Sequence, residues 1–417
     1  MTLYTAFFLL GFLPISALVY YAVPHRTRYI ALCVIDLAFY ALAAGKLFWM
    51  LPLLSLVTYA LSFAKPRVGF LTMLLLLPLL RLCGVSAVGV SFFILRAAAY
   101  LHDGHREKNF VRLCAFLWLF PTVTAGPLTR YGQARDSFDK PVNYPLIERG
   151  ILLSLAGLLK KLFFADALYA AFVQFHAGGT TLSAVAALVC YALYIYFDFA
   201  GYSDIAIGIA AIFGFAPPKN FDHPYLSRSV GEFFRRWHIS LGIWLRDYVY
   251  IPLGGSRRGK GRMLLALGAV WLTSALWHGS TLSYLLWGGW FFLLIAAEKL
   301  LLPKGVYLGH VSTLVPVLLG WVFFFSETPA AAFAFLGRLF CLGGTLLYSR
   351  ADLYNCMRHL PFVLLAAFCA TPILHNALCT LYRHKKVLLY PLAAAAFALV
   401  LSCLAVGAHQ PFLYASF

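Results

Sequence analysis

Acidic side chains are scarce: 15 Asp and Glu stand against 33 Lys and Arg among 417 residues, and the four charged types together make up only 12%. Soluble domains carry about 25%, so an ordinary water-solvated surface is excluded. Paired cysteines are missing too. The nine cysteines, among them Cys33, Cys114, Cys190 and Cys369, stand singly in apolar surroundings with no C-x-x-C. That excludes a disulfide scaffold and a cysteine-based zinc site, and leaves them as small core hydrophobes; no metal site is expected. No internal repeat and no similarity between the two halves is visible, which weighs against transporter folds built from inverted repeats. No long polar linker parts two apolar blocks, so residues 1–417 read as a single membrane domain.

What is abundant is apolar sequence, at 62%. A spanning helix needs about 20 mostly apolar residues. Candidate segments run from 3–22 to 387–408; they include 68–101 as a hairpin, 148–172, 182–215 as a broken span, 230–250, 263–278 and 281–302. The expectation is an all-α polytopic membrane protein with about 11 spans, plus re-entrant and interfacial helices around a central cavity. The net charge of +18 sits in short loops between apolar runs, densest at 25–28, 65–67, 105–108 and 257–262. This positive-inside pattern points to lipids as partners and away from nucleic acid, and puts those loops in the cytoplasm of a multi-pass protein of the cytoplasmic membrane. The N-terminus then faces outward. The first apolar segment lacks a basic n-region and a small-residue cleavage site, so it reads as a retained span.

Three irregular stretches punctuate the spans. Pro127 to Ile147 is the longest polar segment and belongs at the surface. Residues 216–229, with Pro217, Pro218 and Pro224, read as a structured loop leading into the next helix. Phe120 to Pro127 packs two prolines and a glycine into apolar surroundings, as a broken or re-entrant element lining a passage would.

Ionisable groups at bilayer depth cost roughly 2.5–3.5 kcal/mol on insertion scales and usually have a task or a partner. Two histidines qualify. His238 follows Arg235, Arg236 and Trp237 in a helix expected over 230–250, where Phe234, Trp237, Leu241, Trp244, Leu245 and Tyr248 form one apolar stripe. His238 lies beside that stripe, on the face of Arg235 and Gly242. The helix is amphipathic and lies along, or dips into, the cytoplasmic interface; a plain interfacial anchor with a bystander histidine fits the same pattern. His278 ends an apolar run and precedes Gly279, a helix-terminating signal. That places an imidazole at a break between two apolar helices, at the negative end of a helix dipole that strengthens it as a base; a hydrogen-bonded core histidine is the bland alternative. Asp198 and Asp204 are about 240° apart on a helix, so they share no face unless the helix breaks at Gly201; each is expected to pair with an arginine or cap a backbone end, shaping the cavity. Arg257, Arg258 and Lys260 fit either donor phosphates or a topogenic loop equally well.

The motifs FPTVTAGPLTRY (120–131), YFDFAGYSDIAIG (196–208), PKNFDHPYLSRSVGEFFRRWHISLGIWLRDYVYIPLGG (218–255) and WLTSALWHGS (271–280) resemble those of the membrane-bound O-acyltransferase (MBOAT) family. The likeness is strongest over about 116–290 and leans toward its alginate O-acetylation branch more than toward teichoic-acid D-alanylation. It implies an acyltransferase with His278 as the catalytic histidine and His238 as its companion, where many eukaryotic relatives have asparagine. Trp277, Tyr284 and Phe197, with Asp198, Asp204 and Arg235, would line the cavity, and Arg257, Arg258 and Lys260 would mark the donor side. No cofactor would be resident. The donor would be a cytoplasmic thioester, acetyl-CoA or a phosphopantetheinyl acyl carrier protein, and acetyl is the expected group. The acceptor would be an extracellular hydroxyl of cell wall or exopolysaccharide, reached through an SGNH-type acyltransferase or a relay protein. Alginate-type proteins are often longer at the C-terminus than this chain, which puts contacts made by such an extension in doubt. A D-alanyl transferase, and from another class a proton-coupled transporter using His238, Asp198, Asp204 and His278, are the competing readings.

Overall fold

The computed structural model describes residues 1–85, 87–303, 309–407 and 409–413. Every regular element among them is helical, as expected. Among the described residues four helices are long and apolar enough to cross a membrane: His25–Leu47, Thr181–Ile212, Leu282–Leu301 and Lys386–Val406. The bent pair Arg350–Cys369 and Pro372–His384 makes up to five. The expected count of about 11 is therefore not confirmed; several of the remaining apolar helices are shorter, at 10–17 residues. The chain groups into two compact units, Met1–Leu159 with Ala200–Asn220 and Ala396–Phe417, and Lys160–Phe199 with Phe221–Ala395.

The first unit shows how a membrane protein tolerates a broken helix. Phe110–Trp118 and Phe120–Val123 are separated at Leu119, whose φ and ψ are −29° and 98°. Such a break frees backbone groups, each costly to bury unbonded. The buried Arg96 guanidinium donates to the carbonyls of Phe116 (3.0 Å), Leu117 (3.2 Å) and Thr122 (2.9 Å), and to the Thr122 hydroxyl (2.8 Å). The Asp36 carboxylate accepts the Phe120 N–H at 2.8 Å. The proline-rich stretch is broken, as its composition indicated, and one arginine and one aspartate hold the break closed.

The helix Thr181–Ile212, here α1, supplies residues to both units and runs without interruption. The broken span expected over 182–215 is corrected: Gly201 is a packing glycine, not a breaker. A Cβ on Gly157 would stand 2.6 Å from the Gly201 carbonyl oxygen, and one on Gly208 2.4 Å from that of Gly150. Small residues at these crossings let two helix backbones touch, as is common in membrane helix packing. With α1 continuous, Asp198 and Asp204 point to different faces.

In the second unit the helix expected over 230–250 is two helices. Val230–Arg236 (α2) and Ile239–Leu245 (α3) flank Trp237 and His238, and a π-helical turn, Arg246–Tyr250, follows. His238 is left-handed, at φ 45° and ψ 53°. Few residues other than glycine adopt that conformation, though His, Asn and Asp do so several-fold more often than most. The expected stripe still buries Trp237, Leu241, Trp244, Leu245 and Tyr248, because both halves turn the same side inward. Lys260–His278 (α4), Leu282–Leu301 (α5) and His310–Phe325 (α6) complete the framework around the histidines.

Candidate active site

α4 has 19 residues and so rises about 27 Å. Its first residue, Lys260, adjoins the exposed Arg257 and Arg258; its last is His278. The basic loop and the histidine are thus at opposite ends of one helix. α2 starts at the basic end. There the Glu298 carboxylate, in the last turn of α5, accepts the N–H groups of Val230 (2.5 Å) and Gly231 (2.9 Å). Ser229 caps α2 by accepting the Glu232 N–H at 3.0 Å. One turn on, the Phe234 ring lies 4.7 Å from both the Trp271 and Phe291 rings, partway along α4 and α5. The climb ends at His238, whose ring centroid is 6.2 Å from that of Trp277. α3 and the π-helical turn then lead back to the basic loop. The segment turns inward and returns, with His238 at its tip.

Trp277 is in ring contact with both histidines. Its ring is 4.8 Å from that of His278, edge to face, so both imidazoles contact the same indole. Both are buried, at 4% exposure. Phe199 lies 4.6 Å from His238, edge-on. Around His278, Tyr284 is stacked at 6.2 Å, while Trp287 and Phe324 approach edge-on at 5.1 and 5.2 Å. Gly279 is what admits the tyrosine: a Cβ there would stand 2.5 Å from the Tyr284 ring. The backbone at Gly279 is extended, and its N–H donates to the Ala275 carbonyl at 3.1 Å, ending the helix where the sequence indicated.

The structure brings four of the expected site residues together: His238, Trp277, His278 and Tyr284. Arg235 is exposed on the last turn of α2. Asp198 is engaged elsewhere. Its carboxylate is 2.7 Å from the Lys161 ammonium, which also reaches Asp166 at 3.0 Å, all three nearly excluded from solvent. The expected arginine partner is a lysine, from the π-helical turn Leu159–Ala165. Phe197 stacks on Phe164 at 4.8 Å. Asp204 belongs to the first unit and lies only partly buried. Sequence reasoning missed Lys161, Phe199, Trp287 and Phe324. Lys161 carried a signal, as a charge inside the apolar segment 148–172; the aromatics carried none.

A family model described as the membrane-bound O-acyltransferase family matches residues 37–303. The chain belongs to this family. It is also 37% identical over 271 residues to the probable alginate O-acetylase AlgI of Pseudomonas syringae pv. tomato, covering 61% of this chain and 52% of that protein. To the peptidoglycan O-acetyltransferase of Helicobacter pylori it is 32% identical, over 49% of this chain and 46% of the other. To the teichoic acid D-alanyltransferase of Bacillus subtilis it is 28% identical, over 49% and 56% respectively. The chain thus spans about half the length of the curated relatives it matches. Both histidines, Trp277, Tyr284 and Trp287 fall within the family match; Phe324 lies beyond it.

Proposed function

We propose that this chain is an O-acyltransferase of the cytoplasmic membrane that moves an acyl group, acetyl first among the candidates, from a cytoplasmic thioester to an extracellular hydroxyl for cell-wall or exopolysaccharide O-acylation. The observation that carries it is a pair of buried imidazoles, both in ring contact with Trp277, in a ring-lined interior at the end of α4. The names of the relatives at 37% and 32% identity favour acetyl.

The chemistry needs a base at the hydroxyl and a donor to the developing oxyanion. His278 takes the acceptor O–H proton as the oxygen attacks the thioester carbonyl. The tetrahedral oxyanion is held by His238, because the Gly279 N–H is already committed to Ala275. Collapse breaks the C–S bond, and the proton on His278 passes to the leaving sulfur. The surrounding rings exclude the water that would hydrolyse the thioester. Helix length constrains the donor: Arg257, Arg258 and Lys260 lie about 27 Å from His278 along α4, farther than a pantetheine arm extends, so the thioester end of coenzyme A or of a phosphopantetheinyl carrier protein must enter the interior beyond the basic loop. The acyl group passes on to an SGNH-type transferase or relay protein outside the membrane.

The test is His278→Gln, which keeps hydrogen bonding but takes no proton. Losing a general base costs a factor of about 10²–10⁴, so ester-linked acyl content of purified wall or exopolysaccharide should fall to background at matched membrane abundance. Normal acylation would remove His278 from the reaction. Identifying the ester as D-alanyl rather than acetyl would move the chain to the activity named for its Bacillus subtilis relative.

A further inference from the structure

The walls of the His278 site come from three helices, and one of these lies outside the family match. α6 begins at His310, past residue 303 where that match ends. It is drawn onto α5 at Gly320: a Cβ there would stand 2.4 Å from the Phe291 ring, so only glycine permits the approach. The Trp290 indole N–H donates to the Pro316 carbonyl at 2.9 Å and fixes the register. Phe324, four residues after Gly320, shares its helix face. Its ring thereby comes to rest 5.2 Å from His278, 5.3 Å from Tyr284 and 5.3 Å from Trp287.

We infer that Phe324 sets the length of the acyl group, closing the His278 site to chains much longer than acetyl. This rests on the reading of His278 as the base of a thioester transfer. In that reaction the carbonyl carbon must come within bonding reach of an oxygen that is itself hydrogen-bonded to the imidazole, so the first carbons of the acyl chain lie among the rings that touch His278. Tyr284 covers the face of the imidazole; Trp287 and Phe324 take its flanks. Trp287 is 3% exposed and Phe324 4%, so neither turns outward to make room, whereas Tyr284 is partly exposed. Of the buried walls Trp277, Trp287 and Phe324, Phe324 alone is an all-carbon ring, so it is the one that can be cut back without removing a polar N–H; it also packs on Trp321 at 5.6 Å.

The experiment supplies equimolar acetyl- and butyryl-pantetheine thioesters, the arm common to coenzyme A and carrier proteins, to everted membrane vesicles holding the full chain. The membranes are washed free of unreacted thioester, which hydroxylamine would also attack; the esters formed are then released with alkaline hydroxylamine, and the two hydroxamates are counted by mass spectrometry. Wild type should make acetyl ester almost alone. Phe324→Ala should raise the butyryl-to-acetyl ratio about tenfold or more, since a single methylene is worth about 10–200-fold in such a pocket. Phe324→Leu, which keeps most of the packing, reads the same ratio and should fall between the two. A Phe324→Ala ratio equal to that of active wild type would sink the length assignment and leave acyl transfer standing. So would a wild type that uses both thioesters equally. Ester formation that persists unchanged in His278→Gln would sink the underlying reading and the length assignment with it.

Discussion

Removing Lys161 should destabilise the second unit more than removing any surface charge, and the loss should be partly recoverable. The ammonium is fully buried, 2.7 Å from Asp198 and 3.0 Å from Asp166, whose side chains are 1% and 10% exposed. Lys161→Met removes the ammonium that both carboxylates face. Breaking a buried pair from one side costs about 3–5 kcal/mol, because the remaining charge is stranded, whereas removing both partners is often neutral. Lys161→Met and Asp198→Asn should therefore each lower the apparent melting temperature in detergent by several degrees, measured as loss of the monodisperse peak after heating. The double variant Lys161→Met/Asp198→Asn should recover part of the loss, with a coupling of about 2–3 kcal/mol, since Asp166 has lost the same ammonium. Asp198 directly precedes Phe199, which packs on His238 at 4.6 Å, so acyl transfer should recover in parallel with stability. A double variant that regains stability but not transfer would refute the reasoning, and would mean that Asp198 serves the reaction itself. A Lys161→Met protein that melts like wild type would show the pair to be energetically idle.

Other outcomes follow from the same geometry. At His238, asparagine should retain more transfer activity than alanine, since it tolerates the left-handed backbone and supplies both a donor and an acceptor. His238→Gly should fold at least as well as alanine, because it relieves the strained φ, yet be as inactive; full activity in the glycine variant would leave the imidazole without a task. An introduced cysteine at position 258, on a background without native cysteines, should be labelled by an impermeant reagent only from the cytoplasmic side. Labelling from outside would overturn both the orientation and the proposed donor side.

What the sequence made legible was local in origin. The end of α4 at Gly279, the inward stripe along 230–250 and the broken stretch after Phe120 each follow from a few adjacent residues whose backbone or side-chain preferences decide the outcome. The break at His238 stayed hidden for an instructive reason. α2 and α3 bury the same side, so the apolar period passes through Trp237 and His238 as if the helix continued, and no glycine or proline marks the stop. Gly201 misled in the opposite direction: it reads as a breaker, but its role is to let Gly157 approach, and that partner lies in a different helix.

The remaining misses are pairings between distant segments. Lys161 and Asp198 each announce themselves as charges in apolar sequence, yet nothing local joins them; the join depends on how the Leu159–Ala165 turn packs on α1. Phe324 is harder still, because a phenylalanine in an apolar helix looks like every other lipid-facing or core position. Its place against His278 is decided four residues earlier, by a glycine that lets α6 close on α5. The family match accounts for both imidazoles and stops short of this wall. A site built this way keeps its reacting groups on the matched helices while one side of its enclosure comes from the helix that follows. If chain length is set there, two relatives sharing the Trp-His-Gly run will differ in acyl preference according to the residue that α6 sets against the imidazole.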